Sequence, residues 1–469
     1  MYFELMNKRI PFFFLIVSVF LFLIIKIPAL NLPHYWDEAF PYSYAIGFMT
    51  EHGAGLFTTA APAEYTTGHP LLYYFLQASW NSMAGQTLWM QRLFPLLISI
   101  GCLWMTFLVG KKMFDARAGA GAALLLVTQS SFLALAAFQL PETLLTLLLL
   151  TTIFFLLDGR KLLFALSALL LLLVKEPAVV LLAVIFIFHF FIFLRQQPLI
   201  VRLQNVWMYF VPVGVSLLFY LHQYAVQGWL LFPRHTGYLS LTSGFAEQFS
   251  RYFAHLFIYS GRNALFFSAL ALLVFLLVKK RKTLSQSAVM QNALLLVLLI
   301  AGYLLFSAMN FYSNRYILCL FPLFMLLVSA SLYYATRSLQ WIYPTGVILL
   351  SAVTLFFSLN DKREADHSLG YANAVRCQRD AVRYCVEQGW QNQSILTGFL
   401  MQRNLTSHYP RYVSASEVFT TVFNNPDAPA AILIVTSNEK ELHTHPDLAA
   451  MPLVKEFTTG NSWCRIYKK

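Results

Sequence analysis

The sequence predicts a mainly α fold: a polytopic membrane helical bundle of about eleven spans, followed by a small C-terminal α/β domain outside the membrane. Three observations lead there. Only 12% of the 469 residues are charged and 58% are hydrophobic, where a soluble domain carries roughly 25% charge. Apolar runs of spanning length recur as far as about residue 358. Beyond Leu359 the composition turns polar, with charges of both signs.

The apolar runs lie at 10–30, 88–110, 118–138, 143–157, 162–174, 178–194, 206–222, 254–278, 290–309, 316–336 and 340–358. The first follows the basic Lys8-Arg9 but ends without a small-x-small cleavage motif, so it is expected to remain as a helix. Six basic groups separate the runs: Lys8-Arg9, Lys111-Lys112 with Arg117, Arg160-Lys161, Arg195 with Arg202, Lys279 to Lys282, and Arg337. Eleven spans put all six on one side, which the positive-inside rule makes cytoplasmic. The N-terminus is then cytoplasmic and the C-terminal domain external, periplasmic in a bacterial inner membrane. The same pattern accounts for the net charge of +12 and excludes a nucleic-acid partner. The two expected units are a membrane domain, 1–358, with a first outer loop at 31–87, and an external domain, 359–469.

In the external domain, Cys377 to Gln388 reads as an amphipathic helix, and 393–397 and 430–435 read as strands. Cys377, Cys385 and Cys464 lie there, where disulfides are permitted. Cys377 and Cys385 are too far apart along a helix to bridge, which leaves Cys464 paired with one of them or three free thiols. Cys102 and Cys319 lie within spans.

The unusual ionisable residues gather on the external side. Asp37 and Glu38 stand in His34-Tyr35-Trp36-Asp37-Glu38-Ala39 at the mouth of the first span, where adjacent carboxylates are costly to hold without a purpose. Either they cap a following segment, or one acts as a general base and its neighbour shares the load or holds a metal. His69 precedes Pro70 in the same loop; either it is a hydrogen-bonded structural residue, or with Asp37, Glu38 or Glu64 it ligates a divalent ion. Glu142 follows Pro141 at a span start, where it also suits the helix dipole. Lys175, in Val174-Lys175-Glu176-Pro177, is a cation on the wrong side for the topology. It is either neutralised by Glu176 or a hook for a lipid phosphate. Arg315-Tyr316 supplies a second external cation, which alternatively snorkels to the interface.

The order of these segments resembles the GT-C membrane glycosyltransferases, in the branch that holds protein O-mannosyltransferases and lipid A aminoarabinose transferases. Tyr35-Trp36-Asp37-Glu38-Ala39 is similar to their first-loop acidic motif. Gly68-His69-Pro70-Leu71-Leu72-Tyr73-Tyr74 is similar to their His-Pro-Pro-Leu-Tyr-Tyr segment. Leu140-Pro141-Glu142, Leu173-Val174-Lys175-Glu176-Pro177 and Asn314-Arg315-Tyr316-Ile317-Leu318 with Pro322 resemble three further elements. Leu71 replaces the second proline and Glu142 the usual Asp. The resemblance implies transfer of a sugar from a polyprenyl-phosphate donor to a lipid, glycan or protein acceptor, with inversion. Asp37 and Glu38 would be catalytic. Lys175 and Arg315 would bind the donor phosphate, and His69, Glu142, Tyr73 and Tyr316 the substrates. His69 with Glu64 is the candidate metal pair. A transporter or lipid flippase, and a non-catalytic envelope assembly protein, are the competing classes; clustering of the odd charges at one face disfavours transport.

Overall fold

The computed structural model of the chain describes residues 2–233, 237, 244–284, 288–339 and 341–469. Part of the stretch between the expected runs 206–222 and 254–278 lies outside the described residues, as do the side chains of Lys8 and of Lys279 to Lys282. The apolar runs become helices: α1 (Tyr2–Lys26), and then, after two shorter helices, α2 (Tyr42–His52) and α3 (Leu72–Ala84), come α4 (Leu88–Met113), α5 (Ala116–Val127), α6 (Glu142–Leu157), α7 (Lys161–Leu172), α8 (Ala178–Ile187), α9 (Trp207–Gln227), α10 (Phe245–Phe257), α11 (Arg262–Leu284), α12 (Ala288–Ala308), α13 (Leu320–Thr336) and α14 (Ile342–Leu359). Among the described residues, five helices are long and apolar enough to cross a membrane. A sixth span forms if α10 and α11, bent by 85° at their junction, count as one. Five further apolar helices are shorter, 10–17 residues. The expected run at 118–138 breaks after Val127, and a short turn at Ser130–Leu135 follows.

Local chemistry sets the ends. Asp115 accepts from the Arg117 amide at 2.8 Å and caps α5, and Thr87 caps α4. Between them α4 and α5 approach until a Cβ at Gly110 would lie 2.4 Å from the Gly119 Cα. Two glycines thus replace side-chain packing by backbone contact, as small residues do between membrane helices. Around this pair, α1, α6 and α13 pack into one continuous apolar core.

The C-terminal unit is a five-stranded sheet. Its strands are β1 (Ile395–Thr397), β2 (Val422–Phe423), β3 (Ile432–Thr436), β4 (Leu453–Thr459) and β5 (Ser462–Lys468), in the order β2-β1-β3-β5-β4. The first three are parallel, and β4–β5 is an antiparallel hairpin beside β3. Helix α15 (Tyr371–Glu387) lies against β4 and β5. The expected helix and two strands are therefore present, with the helix starting six residues earlier and a terminal hairpin that the sequence reading did not include. All five cysteines are free and buried; Cys377, Cys385 and Cys464 share the core of this unit.

This domain is seated on the first loop. The His34 amide donates to the Pro410 carbonyl at 2.9 Å, and the Tyr409 hydroxyl donates to Glu51 at 2.8 Å. The Tyr409 ring fills the space where a Cβ on Gly47 would stand, 2.3 Å away.

Candidate active site

Backbone conformation separates the two adjacent carboxylates. Trp36 adopts a left-handed φ of 49°, uncommon for a bulky residue and a frequent mark of a functional turn. A short helical turn, Trp36–Glu38, follows. It leaves the Asp37 side chain 44% exposed while that of Glu38 is fully enclosed. Glu38 receives Arg92 through Nη1 and Nη2, both at 3.1 Å. It also accepts the Gln139 amide at 2.8 Å and the Tyr35 amide at 3.2 Å. Burial pushes its pKa up, but Arg92, His34 and the Gln139 amide outweigh burial and hold it at about 2. Arg92 itself donates to the carbonyls of Leu32, Pro33 and Ala137. Glu38 is thus the pin of a sealed junction between the first loop, α4 and the approach to α6.

Asp37 turns the other way, onto Arg315. Arg315 lies in a short helical turn, Asn314–Ile317, just before α13. Its Nη2 donates to Asp37, its Nε to Glu142 at 3.2 Å and its Nη1 to Asp366 at 3.1 Å. Glu142, at the first turn of α6, also accepts from Lys175 Nζ at 2.9 Å. Lys175 stands between α7 and α8, 4.2 Å from the centroid of the Tyr316 ring, in cation–π contact. Next to it, Glu176 meets His69 Nδ1 at 2.8 Å. Five separate segments therefore bring their charges together, and each buried cation carries a carboxylate.

This cluster forms one end of a cavity of about 460 Å³. His69, Glu142, Lys175, Glu176 and Tyr316 line its polar end, and its walls include Leu145, Leu172, Val179, Leu217, Leu230 and Phe306. A charged end joined to apolar walls fits an amphiphile with an anionic head.

No family model and no curated protein matches the sequence. Solved structures do share the fold. ArnT from Cupriavidus metallidurans bound to undecaprenyl phosphate is similar at a TM-score of 0.56 and 12% identity, over 97% of this chain and 97% of that one. The oligosaccharyltransferase of Archaeoglobus fulgidus, in a complex with Zn and sulfate, is similar at 0.52 and 12% identity, over 90% of this chain and 67% of that one. The fold is GT-C.

Within this GT-C frame, Asp37, His69, Glu142, Lys175, Arg315 and Tyr316 come together as one cluster. Two expected site residues do not join them. Glu38 is enclosed by its own hydrogen bonds. Tyr73 is fully buried; its hydroxyl donates to Gln77 at 3.3 Å, in a polar network that includes Asn81 and the Gln91 carbonyl. The metal pair also changes. His69 meets Glu176, Glu64 is exposed, and among the described residues no group of three His, Cys, Asp or Glu is placed to hold a metal ion. Sequence reasoning missed two residues. Arg92 carried a signal, being a lone charge early in an apolar run. Asp366, in Ala365-Asp366-His367, lies in the polar stretch after α14 and carried none.

Proposed function

We propose that the chain is an integral membrane glycosyltransferase that moves a sugar from a polyprenyl-phosphate donor to a lipid, glycan or protein acceptor at the periplasmic face. The observation that carries this reading is the cavity whose apolar walls end on Lys175, Glu142 and Tyr316, with the Arg315–Asp37 pair joined to that end through Glu142. The prenyl chain takes the apolar walls and the phosphate takes the cations. The neighbour with undecaprenyl phosphate bound supports the same ligand class.

The roles follow from charge. Asp37, half exposed at the edge of the cluster, accepts the proton of an acceptor hydroxyl or amine. The acceptor atom forms its bond to the anomeric carbon as the bond from that carbon to the phosphate oxygen breaks. One displacement inverts the centre. Negative charge then grows on the departing lipid phosphate, where Lys175 and Arg315 stabilise it. The Lys175 ammonium has three donors, and its bond to Glu142 uses one. A divalent ion at this centre would need His69 and Glu176 together with phosphate oxygens, and chelation of active membranes tests for one.

The decisive experiment is mass spectrometry of lipid A, surface glycans and envelope proteins from cells making wild-type protein or Asp37→Asn at equal abundance. Loss of one sugar mass in the variant is the expected result. Identical profiles would remove Asp37 from the chemistry and favour a transporter, flippase or assembly protein.

A further inference from the structure

The segment between α14 and α15, residues 360–370, is a strap that returns to the active site before the C-terminal domain begins. Its own contacts order it. Arg363 Nε donates to Asp361 at 2.8 Å, and Ser368 Oγ to the Asp361 carbonyl at 3.1 Å. A Cβ on Gly370 would stand 2.4 Å from the Arg363 carbonyl, so the strap closes on itself. At its tip Asp366, 14% exposed, accepts from Arg315 Nη1. Its other oxygen lies 3.3 Å from His367 Nδ1, and His367 is in turn 2.9 Å from Asn314 Nδ2. Burial would raise the Asp366 carboxyl, but His367 and Arg315 hold it below the usual carboxylate range, so it stays charged.

Each nitrogen of the Arg315 guanidinium therefore faces a carboxylate: Nε faces Glu142, Nη1 Asp366 and Nη2 Asp37, which uses three of its five N–H donors. A donor phosphate that grips two guanidinium nitrogens side by side competes with these carboxylates. Glu142 is 2% exposed and Asp366 14%, against 44% for Asp37, so Asp37 is the partner that can swing away into water. Its departure also frees the base.

We propose that Asp366, carried by this strap, is a positioning residue for the transfer: it holds Arg315 by one edge while Arg315 exchanges Asp37 for the donor phosphate. The inference rests on the glycosyltransferase reading. It gives the C-terminal domain a part in the site, since the strap that enters the domain carries the anchor. In the absence of the Asp366 charge, Arg315 answers to two carboxylates in place of three and is no longer held by one edge, so the phosphate it takes up is not kept in line for the displacement. The site as a whole also becomes less negative, which favours an anionic head group. Turnover then falls while lipid phosphate binds at least as well.

Two readouts separate this from a merely structural strap. Turnover is the amount of sugar-bearing product per enzyme molecule in membranes, and affinity is the Kd for undecaprenyl phosphate in nanodiscs. For Asp366→Asn, turnover is expected to fall by at least about tenfold, a barrier change of the size one misplaced charge produces, with Kd no weaker than wild type. Asp366→Glu, which restores the charge, should turn over faster than Asp366→Asn. Lys362→Ala, an exposed side chain on the same strap, should behave as wild type. The proposal is overturned by wild-type turnover in Asp366→Asn, by Kd weakening in step with turnover, or by equal losses at positions 362 and 366. A wild-type protein that neither binds the lipid phosphate nor transfers sugar would overturn the glycosyltransferase reading and take this inference with it.

Discussion

Replacing Glu38 by Gln isolates the buried junction from the chemistry beside it. The substitution keeps shape and one acceptor oxygen but removes the charge that faces Arg92. The cost can be worked in two ways. The Glu38 carboxyl has an ordinary pKa of 4.5 and sits here at about 2; at about 1.4 kcal/mol per pH unit, that difference is worth about 3 kcal/mol. Independently, breaking one partner out of a buried ion pair costs about 3–5 kcal/mol. Unfolding entropy of about 2.1 cal/mol/K per residue over 469 residues makes about 3 kcal/mol a fall of about 3 °C in Tm for a whole-chain transition. The sign with pH is fixed: a depressed carboxyl stabilises the fold fully above its unfolded pKa and loses that effect as pH falls through the folded one. The gap between wild type and Glu38→Gln should therefore be full at pH 7 and close between about 4.5 and 2. Thermal unfolding in detergent, followed by intrinsic tryptophan fluorescence across pH, measures it. Glu38→Gln combined with Arg92→Met should lose less than the two single losses added, since no orphaned charge remains. An unchanged Tm at pH 7, a gap that persists on acidification, or simple additivity would refute the reasoning.

Three other outcomes follow from the same geometry. Lys175→Ala should weaken undecaprenyl phosphate binding by roughly 10- to 150-fold, the worth of one charge-assisted hydrogen bond, as read by titration in nanodiscs; an unchanged Kd would take Lys175 out of the phosphate site. Gly47→Val drives a side chain into the Tyr409 ring and should cost about 1–3 kcal/mol of overpacking. Hydrogen exchange should then rise around 407–413, and unchanged protection there would show that the domain seat does not depend on this contact. Alkylation of the denatured chain without reductant should add five adducts, because all five cysteines are free; three adducts would reveal a disulfide.

The helices were legible because their signal is hydropathy over about twenty residues, which tertiary contacts cannot reverse. The strands at 395–397 and 432–436 were legible for a related reason: both are buried throughout and read as unbroken apolar runs. The hairpin β4–β5 escaped because β4 is largely exposed and its sequence, Leu453-Val454-Lys455-Glu456-Phe457-Thr458-Thr459, shows no clean alternation. What holds it is pairing to β5 and, through β5, to β3. Register across a sheet is a long-range property that a single segment does not display.

The site shows the same divide at the scale of one residue. Asp37 and Glu38 are adjacent, chemically alike and equally plausible as a base. What separates them is the left-handed turn at Trp36 and an arginine 54 residues away from Glu38. An enclosed carboxylate that accepts two guanidinium nitrogens and two backbone amides has no lone pair free for a proton from outside, and moving it would leave Arg92 uncompensated in the interior. A half-exposed carboxylate with one arginine partner can give up that partner when a better anion arrives. The division of labour between a structural acid and a reactive one is thus set by what each side chain would have to abandon in order to move. That quantity exists only after α4, the strap and the turn before α13 have been brought to the same place.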